Sequence, residues 1–298
     1  MHYLFKCAAI ALTLVSATSA HAETLTLGSV NHDIRKHIER FTPLAQYLER
    51  ELADDGVTDV EISVLPNSQA MAEALRQGDV DLYFDSPLVA TRVARLADAV
   101  PFLRRWKNGQ ASYHSVIVVP TDSEMESIED LRGAVIGFQE PDSTSGYLLP
   151  VALLLEAGLA LKHMHQDYGQ PAENTVGYLF TGDDRNTALG LVRGSIEAGA
   201  IDNQGFEALQ VAQPDRFRAL ARSVEVPRQI VARSAQLDEA LGSVISSTLR
   251  SMADSPEGIQ VMAAFHNTTR FDDFPRGIEA TFEPIHTILD QINESSLM

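Results

Sequence analysis

Ser143, Thr144 and Ser145 stand in a row, followed by Gly146, within the stretch EPDSTSGYLLP from Glu140 to Pro150. Hydroxyl side chains donate hydrogen bonds and rotate to suit the oxygen they meet. The preceding AVIGFQ (Ala134 to Gln139) reads as a strand, and the following PVALLLEAGL as a helix stopped by Gly158. The hydroxyl run therefore falls where a strand ends and a helix begins. A helix start has N–H groups without internal partners and carries about half a positive charge. Such a place holds an anion without needing Lys or Arg, and Gly146 lets the backbone come close to it. Plain helix capping by Asp142, Ser143 or Ser145 fits the same residues. Pro150 removes a hydrogen bond one turn past the cap, so the first turn is expected to be irregular or kinked.

Reliance on dipoles suits the composition. The chain of 298 residues has 41 Asp and Glu against 23 Lys and Arg, a net charge of −18. That balance argues against a nucleic acid or an anionic membrane as partner, since both need basic patches. It leaves a small anion open, because salt screens the global field over about 8–10 Å. The expectation is an oxyanion site with little positive charge of its own.

The elements that must position the site alternate. TLTLGSV, DVEISVLP and VDLYF read as strands; DIRKHIERFTPLAQYLEREL, SQAMAEALRQG and PLVATRVARLA read as helices. In the first helix Ile34, Ile38, Phe41, Leu44 and Leu48 share one face. In the second, Ser68 is the expected cap and Gly78 the stop. SYHSVIVVPTDS leaves this half as a long strand, and SIEDLRG holds a capping-box spacing at Ser127 and Asp130. NTVGYLF, RNTALGLVRG and IEAGAIDN repeat strand, helix, strand before SVEVPRQIVARS returns as a second extended run. This order predicts two α/β lobes, each with a parallel sheet wrapped by helices, joined by two crossing strands. A cleft between such lobes closes around a ligand.

The N-terminus reads as an export signal. Lys6 precedes an apolar run from Cys7 to Val15, and Ala20-His21-Ala22 matches a small-residue cleavage pattern. The run is too short for a membrane span of about 20 residues. Cys7 is the sole cysteine, so cleavage after Ala22 leaves no disulfide and no thiolate metal ligand. His32 and His37 do not share a helix face well. His163 and His165 fit a surface loop better than a metal site. The chain has no nucleophile elbow, P-loop or His-Glu-x-x-His motif. The expectation is a periplasmic protein with no cofactor and no metal that is not an enzyme.

The stretches EPDSTSGYLLP, GDVDLYFDSPLVATRVA, SYHSVIVVPTDSEMESIEDLRG, VRGSIEAGAIDN and VEVPRQIVAR together resemble the phosphate, phosphite and phosphonate substrate-binding proteins of ABC transporters. The resemblance covers most of the chain beyond the leader. It implies a type II periplasmic binding protein with the ligand clamped between its lobes, and Ser143, Thr144 and Ser145 gripping the oxyanion. Two places depart from the family pattern. A Gly-Ser-His-Asp stretch is replaced by TGDDRN (Thr181 to Asn186), and Tyr83 and Phe84 are followed by Asp85. An ionised Asp accepts but cannot donate, so it suits a protonated oxygen or a ligand ammonium group.

The expected ligand residues are Ser143, Thr144, Ser145 and Gly146 from one lobe, with Tyr83, Asp85, Asp183 and Asp202 reading the rest. Asp183 and Asp184 fit a helix cap equally well, Arg185 fits solvent, and Tyr113 fits either the cleft or the core. The expected lobes are residues 23–116 with 228–298, and residues 117–227, after a leader of residues 1–22. The expected partner of this monomer is an ABC permease, or alternatively a sensor histidine kinase. A different oxyanion and a periplasmic phosphoester hydrolase are the remaining alternatives.

Overall fold

The computed structural model describes residues 23–31, 33–164 and 170–295. The leader reading, His32 and His165 lie outside the described residues. The chain opens with β1 (Glu23–Val30), α1 (Ile34–Glu51), β2 (Val57–Leu65), α2 (Ser68–Gln77), β3 (Leu82–Asp85), α3 (Pro87–Ala97) and β4 (Val100–Lys107). The short β5 (Ser112–Tyr113) then leads into β6 (Ser115–Pro120), β7 (Val135–Phe138), a wide turn at Thr144–Leu148 and α4 (Leu149–Glu156). Next come β8 (Ala160–His163), β9 (Thr175–Phe180), α5 (Asp184–Arg193), β10 (Ala198–Asp202), α6 (Asn203–Ala212) and β11 (Phe217–Arg222). The chain returns through β12 (Val226–Pro227) and β13 (Gln229–Arg233). It ends in α7 (Glu239–Ser251), α8 (Pro256–Ala264), β14 (Thr268–Asp272) and α9 (Gly277–Glu294).

These strands form two six-stranded sheets, ordered β14-β4-β13-β3-β1-β2 and β11-β6-β10-β7-β9-β8. Both faces of each sheet are buried, as the period-2 alternation shows. Val116 and Val118 enter one core with Leu191 and Phe206 of α5 and α6, while Ile117 and Val119 enter another with Leu149 and Leu154 of α4. Neither sheet is purely parallel. β1, β2 and β3 run parallel, but β13, β4 and β14 are antiparallel to their neighbours. β6 and β11 are antiparallel in the second sheet. The strand that arrives from the other lobe, β13 in the first sheet and β6 in the second, runs against the strands wound within the lobe, whereas the departing β4 and β11 run with them.

The crossing is a separate two-stranded ribbon in which Tyr113 faces Val226 and Ser112 faces Pro227. The expected long strand thus breaks at His114. α9 packs against both α3 and α4, a further link between the lobes. The apolar face of α1 is shorter than its periodicity predicts: Phe41, Leu44 and Leu48 are buried, but Ile34 and Ile38 are 54% and 41% exposed. The first turns of α1 extend past the core to the cleft. Asn67, not Ser68, caps α2, its side chain accepting from the Ala70 N–H. The Ser127–Asp130 capping box is present. Among the described residues no helix is long and apolar enough to cross a membrane.

Candidate ligand cleft

The hydroxyl run owes its shape to Pro150. A proline has no N–H for the carbonyl one turn earlier, and here that carbonyl belongs to Gly146. It accepts instead from the Gln139 N–H at 3.0 Å, tying the end of β7 to the turn. The turn itself widens: the Leu148 N–H donates to the Ser143 carbonyl at 2.9 Å and the Leu149 N–H to the Thr144 carbonyl. This is the π-helical pattern, frequent at functional sites, and it is the irregular first turn that Pro150 predicts.

Thr144 and Ser145 carry the open first-turn N–H groups and are buried at 2% and 7% exposure. The Ser143 hydroxyl is the cap, accepting from the Gly146 N–H at 3.0 Å and donating to Gln139 Oε1. It lines the cleft, but its proton is engaged within the protein. Gly146 does not line the cleft. A Cβ there would overlap the Gln139 side chain, so its role is to seat Gln139. That side chain also donates to Asp184.

The cleft is a cavity of about 620 Å³ between the lobes. It lies at the carboxyl ends of β1, β3, β7 and β10, where open α/β sheets bind ligands. From the first lobe β3 ends in Asp85 and Ser86, and α3 begins at Pro87 with its N-terminus facing the hydroxyl turn. Thr144 Oγ1 lies 3.0 Å from Ser86 Oγ and 3.4 Å from the Leu88 N–H. Two helix starts therefore converge on one place. The hinge adds Tyr113, whose hydroxyl interacts electrostatically with the Thr144 and Ser145 side chains. It also adds Arg228, whose guanidinium lies 4.2 Å over the Tyr113 ring and pairs with Asp202 at 3.3 Å.

The expectation of a site with little positive charge is wrong. Arg105 and Lys107 of β4 line the cleft with Arg228 and Arg40. Arg105 is 4% exposed; its guanidinium donates to Thr268 Oγ1 at 2.8 Å and Gln229 Oε1 at 2.6 Å. Its Nε has no partner among the described residues, nor does the group face a carboxylate within ion-pair distance. Burial, then Arg228, pushes it down to about 9. Burial, then Arg228 and Arg105, pushes Lys107 down to about 8. Removing such charges from water is costly unless an anion compensates them. The −18 of the whole chain concealed this local gathering of cations.

The acidic candidates divide. Asp85 lines the cleft, accepting from the Tyr83 hydroxyl at 2.5 Å and the Ser86 N–H at 2.6 Å; burial raises it. Tyr83 itself is fully buried behind Asp85 and does not line the cavity. Asp202 lines it but is committed to Arg228 and to the Gly205 N–H that it caps. Asp183 caps α5 through the Asn186 N–H at 2.7 Å and lies outside the cleft, since the cap turns its carboxylate toward the helix. Its neighbour Asp184 takes the inner position, and burial, then Asp202, pushes it up to about 7. Arg185 is exposed and outside the cleft. His163 packs in a tilted arrangement against Tyr178 and Phe180, and no metal-binding group of side chains occurs among the described residues.

The cleft residues that the sequence reading missed are Gln139, Arg105, Lys107, Arg228, Arg40 and His266. The alternation of VPFLRRWK, with Leu103 and Arg105 on one face, could have placed Arg105 on a buried side.

A model of the ABC-transporter phosphonate periplasmic substrate-binding proteins matches residues 33–274. The chain belongs to this family. The phosphate-import protein PhnD of Mycolicibacterium smegmatis is 22% identical over 236 residues, covering 77% of this chain and 71% of that protein. A Xanthomonas citri protein solved bound to ATP superposes with a TM-score of 0.83 at 27% identity. That match covers 92% of this chain and 99% of the other. PhnD1 from Prochlorococcus marinus, in complex with methylphosphonate, shares the fold at a TM-score of 0.65 and 18% identity, covering 92% and 100%. The two-lobed fold is that of periplasmic binding proteins.

Proposed function

We propose that the protein is a periplasmic solute receptor that captures a phosphorus oxyanion and hands it to an ABC permease, without chemistry of its own. The observation that carries the ligand class is the Arg105 guanidinium, buried in the cleft without a carboxylate at ion-pair distance among the described residues. A bound anion supplies the missing charge. Thr144, Ser145 and the start of α3 hold the oxygens, and Asp85 accepts from a protonated oxygen or an ammonium group. Closure is a population shift, since the ligand stabilises the form in which both lobes touch it. The chain acts as a monomer after cleavage behind Ala22, with residues 23–116 and 228–298 as one lobe and 117–227 as the other.

The size of the cleft favours a second reading, in which the oxyanion is part of a larger phosphorylated molecule. About 620 Å³ falls within the ~300–1,000 Å³ typical of clefts that enclose whole organic ligands. The relative solved with ATP supports this reading. The test is a thermal-shift series on ligand-stripped protein with phosphate, phosphite, methylphosphonate, aminoethylphosphonate, sulfate and ATP. A ligand at about 1,000 times its Kd adds roughly 4 kcal/mol, and each kcal/mol raises the midpoint by about 2–4 °C in a chain of this size. Shifts confined to phosphorus compounds support the reading; a shift with sulfate alone, or with none, refutes it.

A further inference from the structure

Opposite the hydroxyl turn, the first-lobe wall of the cleft carries a cluster that a single oxyanion does not use. His37 of α1 and His266, in the loop before β14, face each other with ring centroids 5.1 Å apart. Both line the cavity with Arg40 and Lys107. Arg40 Nη1 lies 3.3 Å from His266 Nδ1. A guanidinium only donates, so His266 accepts at Nδ1 and keeps its proton on Nε2. His37 Nδ1 lies 2.9 Å from the Ser29 hydroxyl, which leaves its Nε2 as the second ring nitrogen without a hydrogen bond to the described residues.

The cluster is held in place at a conformational cost. His266 and Asn267 have φ of 51° and 53°, two successive non-glycine residues in the left-handed region. Such strain persists only where surrounding structure imposes it, and it concentrates at ligand sites. Behind the imidazoles Phe41, Phe84 and Phe265 pack edge to face at 4.7–5.7 Å, a rigid support. Neither Arg40 nor Lys107 forms an ion pair with a described carboxylate. The carboxylates facing the cleft sit elsewhere, at Asp85, Glu140, Asp142, Asp184 and Asp202. Asp142 is paired with Arg92 and Asp202 with Arg228.

We infer that Arg40, Lys107, His37 and His266 form a second anion subsite, so that the ligand carries two or more linked phosphoryl groups. Resting on the receptor reading above, this assigns one phosphoryl group to the hydroxyl turn and Arg105, and the next to the first-lobe wall. A condensed phosphate or a phosphoanhydride ester has this chemistry; phosphate and simple phosphonates do not. His266 donates from Nε2 and His37 presents its Nε2 beside it, while Arg40 and Lys107 supply charge. Burial, then Arg105, pushes His266 down to about 3, consistent with a donor that stays neutral.

The test is calorimetry on the full-length mature chain with inorganic phosphate, pyrophosphate and tripolyphosphate. The same titrations are run on His266→Ala and on Arg40→Gln, the latter on an exposed side chain whose change spares the fold. Each charge-assisted contact contributes about tenfold in affinity. The expected result is affinity rising about a hundredfold from phosphate to tripolyphosphate, with each variant losing about tenfold for tripolyphosphate only. Equal affinity for all three anions, or equal losses for phosphate and tripolyphosphate, overturns the second subsite and leaves the receptor reading intact. Binding of none of them overturns the second subsite, and the receptor reading then falls only if phosphite, methylphosphonate and aminoethylphosphonate also fail in the thermal-shift series.

Discussion

The Gln139 N–H and the Gly146 carbonyl, joined at 3.0 Å, couple the end of a strand to the turn that carries the hydroxyl run. The bond exists because Pro150 has no N–H to claim that carbonyl. Pro150→Ala restores the donor and favours an unbroken α-helix through residues 144–150. The fold should survive, with a melting temperature within a few degrees of the parent. Anion affinity should drop about tenfold as Thr144 and Ser145 turn away. Unchanged affinity in a titration of the variant shows that the wide turn is unnecessary for binding.

Arg105 sets stability against function. Its charge is buried with Thr268 and Gln229 as neutral hydrogen-bond partners and the Phe265 ring 5.0 Å from the guanidinium. Replacing a buried charge by an apolar side chain of similar length is often neutral or stabilising. Arg105→Met should therefore leave the empty protein as stable as the parent or more so, in urea melts. The same variant should lose at least a hundredfold in anion affinity, about 3 kcal/mol for a charged contact. A destabilised empty protein with intact binding would assign Arg105 to the core instead.

Much of the fold and part of the site could be read from residue order. The alternation of TLTLGSV with the apolar spacing from Phe41 to Leu48 fixes strand and helix through local geometry, which survives into the structure. The hydroxyl run and the distortion at Pro150 are equally local. The basic wall is not, because Arg105 on β4, Arg228 at the hinge and His266 before β14 meet only through sheet order and lobe crossing. No spacing along the chain encodes that meeting. Asp183 and Asp184 show the complementary case. Both are acidic neighbours at a helix start, and only the direction of the cap decides which carboxylate enters the cleft.

Lys107 gives binding a pH limit. Its ammonium is held down at about 8 by burial and by Arg228 and Arg105, so the free protein loses this charge as pH rises past 8. A bound anion pulls the proton back, and affinity should fall as pH rises through the window from 8 to 9. Lys107→Arg keeps its charge throughout this range and should flatten the decline. Calorimetric titrations at steps between pH 6.5 and 9.5 measure both curves. Identical slopes in parent and variant would exclude Lys107 as the titrating group.

Asp184 acts on stability with the opposite sense. Its carboxyl stands at about 7 in the folded protein against 3.8 for the free side chain, chiefly through burial. The folded state thus binds the proton more tightly than the unfolded state. Linkage then makes this contribution grow as pH falls from about 7 toward 4 and vanish as pH rises through 7. Asp184→Asn removes the charge that burial disfavours. At pH 8 the variant should be more stable than the parent, by on the order of 1–3 kcal/mol at this partly buried position. The gap should close as pH falls to 5, where the parent carboxyl is protonated. Urea unfolding of both proteins at pH 5, 6.5 and 8 measures the gap. A constant difference across that range would mean that the Gln139 contact, and not the proton, sets the contribution of Asp184.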